Sequence, residues 1–131
     1  MTFVDTGAWF AFLVKTDSNH RAVFSWMEKN ENSLLTTDYV VDETLTLLRT
    51  RGHREKALKF GRSVFLDQSI TLHFLTPSEI SDTWKVFERF SVKEWSFTDC
   101  ASKFIMESLG IHTAFSFDQH FRQFGSVVVV P

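Results

Sequence analysis

The sequence predicts one α/β domain with a mainly parallel five-stranded sheet. The chain has 131 residues, of which 44% are hydrophobic, enough for one buried core but too short for two ordinary domains. Five short strand-like segments alternate with helical segments, a pattern typical of parallel sheets whose crossovers are helices. No repeat, low-complexity tract or Pro-, Gly- or Ser-rich linker interrupts this alternation.

The first strand and the first two helices follow directly from the start of the chain. TFVD (residues 2–5) predicts a short strand, and GAWFAFLV (7–14) predicts a helix. A second helix is expected from Asp17 to Lys29, because Asp17 or Ser18 is a plausible N-cap.

The middle of the chain predicts two further strands on either side of a helical pair. SLLTT (33–37) is the second strand. From Asp38 to Arg51 the apolar residues recur at helical spacing, and Gly52 is well placed to end that helix. Another helix is expected from Arg54 to Asp67. ITLHFLT (70–76) then predicts the third strand, since it alternates and contains β-branched residues.

The last third predicts two helices and two strands. Pro77 opens the helix PSEISDTWKVFERF, because proline at the first helical position gives up no needed hydrogen bond. Thr98 is expected to cap a helix that runs to Leu109 and stops at Gly110. The remaining segments are the strands HTAFSF (112–117) and SVVVV (126–130), with the helical turn QHFRQF (119–124) between them.

Composition restricts the class of protein. The net charge of −2 is not the basic excess of a typical nucleic-acid binder. The single cysteine, Cys100, has no partner for an intramolecular disulfide, which fits a reducing compartment. The apolar run AWFAFLV follows an acid and is too short to span a bilayer. We therefore expect a soluble, cytoplasmic protein with no membrane association.

Four acids are expected to meet at one edge of the sheet. Asp5 ends the first strand, Asp118 ends the fourth, Asp99 lies in the first turn of a helix, and Glu43 lies about one turn into the helix after the second strand. In an open parallel sheet, ligands bind beyond the carboxyl ends of the strands. Each acid alone also has an ordinary explanation, as a turn residue, a partner of a helix dipole or a surface charge.

Such a cluster requires a cation. Two carboxylates about 5 Å apart repel by roughly 3 kcal/mol at an effective dielectric near 20. Oxygen ligands without accompanying cysteine favour Mg²⁺ or Mn²⁺ over Zn²⁺. The sequence therefore predicts a magnesium or manganese site.

Four motifs together resemble the PIN-domain ribonucleases, and most closely the VapC-type toxins of bacterial toxin–antitoxin pairs. In chain order they are FVDTGAWFAFLVKTDSNH, TTDYVVDETLTLLR, WSFTDCAS and AFSFDQHF. No single motif is specific, but all four occur in the expected order and spacing across the whole chain. The resemblance implies a three-layer α/β/α domain spanning residues 1–131.

The resemblance also implies site residues and chemistry. The catalytic acids that hold Mg²⁺ or Mn²⁺ would be Asp5, Glu43, Asp99 and Asp118. The hydroxyls of Thr6 and Thr98 would fix the orientation of these carboxylates without binding the ion. The activity would be hydrolysis of RNA phosphodiester bonds that leaves a 5′-phosphate and a 3′-hydroxyl. The implied partners are RNA, a second copy of the chain, and an antitoxin whose tail blocks the acidic site.

A basic segment supplies candidate RNA contacts. RTRGHREKALKFGR (49–62) contains six Lys or Arg and one Glu, which alone would indicate a solvated helix face. An acidic site repels RNA except through its cations, so phosphate contacts must come from elsewhere on the surface. We therefore expect Arg49, Arg51 and Arg54 to contact the RNA backbone.

Other readings are weaker. The string D-T-G at Asp5 occurs in aspartic proteases, but here it runs into a helix and has no second copy. Haloacid-dehalogenase phosphatases require an acid at the place of Gly7, and phosphoreceiver domains require an acidic pair and a late lysine. A PIN protein that acts in RNA processing, or a catalytically silent binding module, is the remaining alternative. His120 could be a ligand or a phosphate contact, although a histidine in a turn is more often simply exposed.

Overall fold

The computed structural model describes residues 1–125 and 127–131. In chain order its strands and helices are β1 (Thr2–Val4), α1 (Thr6–Leu13), α2 (His20–Lys29), β2 (Leu34–Thr37), α3 (Asp38–Thr50), α4 (Arg54–Phe65), β3 (Thr71–His73), α5 (Pro77–Arg89), α6 (Phe97–Leu109), β4 (Thr113–Phe115), a 3₁₀ helix (Gln119–Gln123) and β5 (Val128–Val130). The predicted alternation of strands and helices is confirmed.

The sheet is fully parallel, with the strand order β3-β2-β1-β4-β5. The chain adds β2 and β3 on one side of β1 and then crosses over to add β4 and β5 on the other side. The order therefore reverses between β1 and β4, where Phe3 is paired with Ala114 and Val4 with Phe115. In doubly wound sheets, this reversal opens a crevice at the carboxyl ends of the strands.

The central strands are buried because helices cover both faces of the sheet, which gives the predicted three-layer α/β/α arrangement. Phe3 and Val4 of β1 and Phe115 of β4 have no exposed surface. The ring of Trp26 on α2 meets the ring of Phe115 edge-on at 4.4 Å between centroids. Each fully buried side chain of this kind stabilises the fold by roughly 1.5–3 kcal/mol, so β1 and β4 are held rigidly beneath the crevice.

Two predicted N-caps are wrong. The second helix begins at His20 with Asn19 as its N-cap, because the Asp17 carboxylate accepts the Asn19 backbone N–H at 2.8 Å and holds an Asx turn instead. The last long helix begins at Phe97 with Ser96 as its N-cap, so Thr98 is already inside the helix.

Other boundaries differ by a few residues. The fourth helix ends at Phe65 and not at Asp67. The helices α3 and α6 stop as expected, since Gly52 and Gly110 adopt φ values of 79° and 67°. The strand predicted for SVVVV is observed as β5, but its first residue, Ser126, lies outside the described residues. None of the described helices is both long enough and apolar enough to cross a membrane.

Candidate active site

The four predicted acids line one cleft at the carboxyl ends of β1 and β4. The cleft has a volume of about 400 Å³. Its lining consists mainly of acids and small residues, with one imidazole and one apolar side chain: Asp5, Thr6, Gly7, Glu43, Leu47, Glu94, Ser96, Asp99, Asp118 and His120. The convergence predicted from the strand ends is therefore present in the fold.

Asp5 is fixed by the two central strands. It follows β1 directly, is the N-cap of α1 and is only 6% exposed. Its backbone N–H donates to the carbonyl of Phe115 at 3.0 Å, which extends the pairing of β1 with β4 by one residue. The Ser116 hydroxyl donates to Asp5 Oδ2 at 3.1 Å. The carboxylate is therefore positioned by the sheet and not by a mobile loop.

The environment of Asp5 raises its pKa from 3.8 to about 7. Burial is the largest cause, because it disfavours the charged carboxylate, and the negative charges of Asp99 and Glu43 act in the same direction. The Thr6 backbone N–H and the Ser116 hydroxyl oppose the shift by favouring the charged form. Without a cation, the Asp5 carboxyl is consequently about half protonated at neutral pH.

Asp99 is held at the start of α6 by a capping box. The Ser96 hydroxyl accepts the Asp99 backbone N–H at 3.0 Å, and Asp99 Oδ2 accepts the Ser96 backbone N–H at 3.0 Å. Asp99 is only 7% exposed. The reciprocal bonds set both the first turn of the helix and the direction of the carboxylate.

Asp118 is positioned by the link between β4 and the 3₁₀ helix. Its backbone N–H donates to Ser116 Oγ at 3.0 Å, so one hydroxyl connects Asp5 to Asp118. Asp118 Oδ1 in turn accepts the backbone N–H of His120 at 2.9 Å. The half-buried Asp118 therefore caps the 3₁₀ helix from a fixed place.

His120 lies in the cleft and is half-buried, contrary to the expectation that a histidine in this turn is exposed. Its Nδ1 lies 2.9 Å from Asp99 Oδ2 and 3.4 Å from Asp118 Oδ1. The hydrogen bond to Asp99 raises the pKa of the imidazole above its usual value, and the charge of Asp118 also raises it.

Glu43 and Thr6 complete the cleft. Glu43 is exposed, in the second turn of α3, and its charge contributes to the raised pKa of Asp5. Thr6 is only 5% exposed, and its Oγ1 has no hydrogen-bond partner among the described residues. A buried hydroxyl of this kind is costly unless water, an ion or a substrate satisfies it.

Thr98 does not line the cleft. Its carbonyl accepts the Ser102 hydroxyl at 3.0 Å inside α6, and the hydroxyl that contacts Asp99 belongs to Ser96. Of the two expected threonines, Thr6 therefore lines the cleft and Thr98 does not.

Arg49, Arg51 and Arg54 lie on the surface away from the acids. All three are exposed, at the end of α3 and the start of α4, and none lines the cleft. Arg51 stands over the ring of Phe10 at 6.0 Å from its centroid. At 1.5 Å per residue, Arg51 is about 12 Å along the helix from Glu43. The basic segment therefore begins at the far end of the helix that carries Glu43, outside the cleft.

A larger groove lies between α3 and α4. Its volume is about 540 Å³, its lining is mainly apolar, and Arg49 and Arg62 contribute positive charge without any acid. The carboxylates of the cleft are absent from this groove, so the acidic cleft is the candidate site for metal-dependent chemistry.

The donor set of the acidic cleft suits a divalent cation. One ligand atom each from Asp99, Asp118 and His120 lie within 4.8 Å of one another. The raised pKa of Asp5 and the unpartnered hydroxyl of Thr6 both indicate a place that a cation and its water would stabilise. Carboxylates dominate the set, which fits Mg²⁺ or Mn²⁺.

Sequence reasoning missed Ser96, Ser116 and Glu94. Ser96 had a local signal, since Ser96 and Asp99 are spaced as a capping box. Ser116 had none, because its role depends on the pairing of β4 with β1. Glu94, in the loop before α6, contributes to the raised pKa of His120 and had no signal either.

Comparison with known proteins gives concordant results. A family model described as PIN domain matches residues 2–127. The chain is 31% identical over 132 residues to the 23S rRNA-specific endonuclease VapC20 of Mycobacterium tuberculosis, in two strains, with 100% of this chain and 99% of the relative covered. The crystal structure of Mycobacterium tuberculosis VapC20, described as a sarcin–ricin loop cleaving toxin, superposes with a TM-score of 0.92 and 27% identity over the full length of both chains. FitAcB from Neisseria gonorrhoeae superposes with a TM-score of 0.67, covering 100% of this chain and 97% of that one; its identity of 16% supports the fold alone.

Proposed function

The chain belongs to the PIN-domain family and, within it, to the VapC-type toxins, and from this premise we propose that it is an endoribonuclease that cleaves RNA at the acidic cleft. One observation carries the proposal: four acids from four separate segments line one cleft at the reversal of the strand order. This is the position at which open parallel sheets bind ligands. The full-length similarity to a 23S rRNA-specific endonuclease favours this activity over a catalytically silent binding module.

The cofactor in this proposal is Mg²⁺ or Mn²⁺, held by Asp5, Glu43, Asp99 and Asp118. When bound, such an ion activates water and neutralises charge on the phosphoryl and leaving oxygens. Its binding would also offset the mutual repulsion of the carboxylates and favour the ionised form of Asp5. The support is the donor set, the raised pKa of Asp5 and the unpartnered Thr6 hydroxyl.

The residues of the chain contribute position and charge. Asp5 and Asp99 are buried and hydrogen-bonded, so they need little reorganisation when substrate arrives. Ser116 holds Asp5 and the Asp118 backbone together, and Ser96 orients Asp99. Glu43 is more exposed and enters the cleft from α3, where it faces incoming RNA.

The substrate in this proposal is ribosomal RNA, with the sarcin–ricin loop as the first target to test. The support is the full-length similarity to a 23S rRNA-specific endonuclease and to a sarcin–ricin loop cleaving toxin. Arg49, Arg51 and Arg54 would contact phosphates flanking the cut, because the acidic cleft itself repels the backbone. An enzyme with this substrate acts in the cytoplasm.

The partners in this proposal are a second copy of the chain and a cognate antitoxin. Both need apolar surface, and two exposed apolar areas among the described residues are candidates for it. On α5, Trp84 and Phe87 are 53% and 37% exposed with stacked rings. The groove between α3 and α4 is the other place.

The test is cleavage of a sarcin–ricin-loop hairpin by the purified protein with Mn²⁺ or Mg²⁺. We expect one cut that leaves a 5′-phosphate and a 3′-hydroxyl, and we expect EDTA or Asp99→Asn to abolish it. Asp42→Asn is the matched control, since Asp42 is an exposed acid on the same turn as Glu43 and does not line the cleft. Cleavage that persists in EDTA or in Asp99→Asn would refute the metal-dependent mechanism, and intact RNA of every class tested would refute the nuclease assignment.

A further inference from the structure

The imidazole of His120 occupies the space between two of the acids. Its Nδ1 is 2.9 Å from Asp99 Oδ2 and 3.4 Å from Asp118 Oδ1. Adjacent ligand atoms around an octahedral ion with bonds of 2.0–2.2 Å are about 3 Å apart. Each of the two oxygens is therefore spaced from the nitrogen as a neighbouring ligand of one ion would be, and the three residues offer ligand atoms that all lie within 4.8 Å of one another.

The position of the ring is set by the backbone and the core. The His120 backbone N–H donates to Asp118 Oδ1 at 2.9 Å, which closes the turn that starts the 3₁₀ helix. The next residue, Phe121, is completely buried and packs against Phe3 of β1 at 6.1 Å between ring centroids. Because the sheet anchors this turn, His120 is presented to the acids before any ion binds.

A second observation points to a ligand in the same cleft. Thr6 lines the cleft, and only 5% of its surface is exposed. Its Oγ1 has no hydrogen-bond partner among the described residues. An ion with its bound water, or an ion-bound phosphate, would supply the missing partner. The cleft thus combines a compact set of ligand atoms with an unsatisfied polar group.

We infer that His120 is a metal ligand through Nδ1, alongside Asp99 and Asp118, and that this nitrogen makes the cleft prefer Mn²⁺ and similar transition ions to Mg²⁺. The inference rests on the proposed metal-dependent function and adds a residue and an ion preference to it. Mg²⁺ is bound through oxygen and retains much of its water, whereas imidazole binds first-row transition ions. Replacing one carboxylate or water by imidazole therefore selects against Mg²⁺.

A purely structural role for His120 makes a different prediction. If the ring only balanced the charges of Asp99 and Asp118, its removal would change the affinity for Mn²⁺ and Mg²⁺ by similar factors, because both ions carry the same charge. A directly bound nitrogen instead increases the affinity for Mn²⁺ selectively, and its nucleus couples magnetically to the electron spin of Mn²⁺. The two roles are therefore separable by measurement.

The experiment is pulsed electron paramagnetic resonance of Mn²⁺ bound to the full chain, with any purification tag removed. We expect ¹⁴N modulation in the wild type and in the control His112→Gln, whose side chain is exposed, and no modulation in His120→Gln. Calorimetric titration should show a loss of Mn²⁺ affinity of about tenfold or more in His120→Gln, with Mg²⁺ affinity changed by less than about threefold. Melting in chelator checks that each variant is folded.

His120→Asp provides a second variant that retains an oxygen ligand. It should bind Mn²⁺ without ¹⁴N modulation and should bind Mg²⁺ relatively better than the wild type does. Wild-type protein that binds Mn²⁺ without nitrogen modulation would overturn the role of His120 and leave the nuclease proposal standing. Modulation that survives in His120→Gln would also overturn it, and a wild type that binds neither ion would overturn both proposals.

Discussion

Asp5→Asn tests whether the acidic cleft destabilises the metal-free protein. The pKa of Asp5 is about 7 in the folded state against an ordinary 3.8. The folded protein therefore binds more protons at this site than the unfolded chain between these pH values. Because the folded pKa is the higher one, stability is unaffected below pH 3.8, falls as the pH rises towards 7, and is lowest above 7.

The magnitude follows from the shift. About three pKa units at roughly 1.4 kcal/mol each correspond to about 4 kcal/mol of lost stability at pH 8. At pH 5 the loss is only about 1.7 kcal/mol by the same relation. Asparagine has no charge to bury, and its Oδ1 can still accept the Ser116 hydroxyl. At about 2.1 cal/mol/K of unfolding entropy per residue, Asp5→Asn should raise Tm at pH 8 by roughly 10–15 °C.

The assay is thermal unfolding in EDTA between pH 5 and pH 8.5. We expect the gain from Asp5→Asn to grow with pH, and to shrink when saturating Mn²⁺ stabilises the wild type. Asp42→Asn, an exposed acid, should show no comparable pH-dependent gain. The same Asp5→Asn protein should not cleave RNA. A gain that is absent, or equal at pH 5 and pH 8, would refute the burial argument.

Three other predictions concern the same cleft and its surroundings. Ser116→Ala removes a hydrogen bond that favours the ionised form of Asp5, so the pKa of Asp5 in EDTA should rise by about one unit. A ¹³C NMR titration of the Asp5 carboxyl carbon measures this pKa, and an unchanged value would contradict the role of Ser116. Mn²⁺ should stabilise the wild type by about 1.4 kcal/mol for each tenfold increase above its Kd, and a flat response would contradict a metal site. Replacing Arg51 and Arg54 together by Ala should weaken RNA binding and reduce the salt dependence of log K by about 1 for each lost phosphate contact. Lys85→Ala, which removes an exposed charge on α5, is the control. An unchanged salt slope in the double variant would indicate that the basic segment is only a solvated helix face.

The fold and the acids were predictable because their signals are local. Hydrophobic alternation and helix periodicity locate the strands and helices, and in a parallel sheet the ends of the strands must share one edge. Asp5 and Asp118 could therefore be assigned to one edge before any contact was known. The N-caps were less predictable, because Asp17, Ser18 and Asn19 compete for the same role and the Asx turn of Asp17 decides the outcome.

The supporting polar groups were not predictable for a physical reason. Ser116 connects Asp5 to Asp118 only because β4 pairs with β1, and that pairing joins residues more than 100 positions apart in the chain. His120 reaches Asp99 only because Phe121 is buried against β1 and fixes the 3₁₀ helix. The spacing of residues along the sequence predicts neither the contact of Ser116 with Asp5 nor that of His120 with Asp99.

The cleft combines carboxylates that repel one another with a scaffold that prevents them from separating. Asp5 is held by the β1–β4 pairing and Asp99 by the capping box of α6, so neither can move away to relieve the repulsion. A proton on Asp5 and the imidazole of His120 offset the charge when no ion is bound. In the proposed metal-bound state, a divalent ion would take the place of the proton on Asp5, would bind His120 as a ligand and would offset the repulsion between the carboxylates. In this proposal, the same rigidity that makes the metal-free protein less stable would strengthen its binding of the ion.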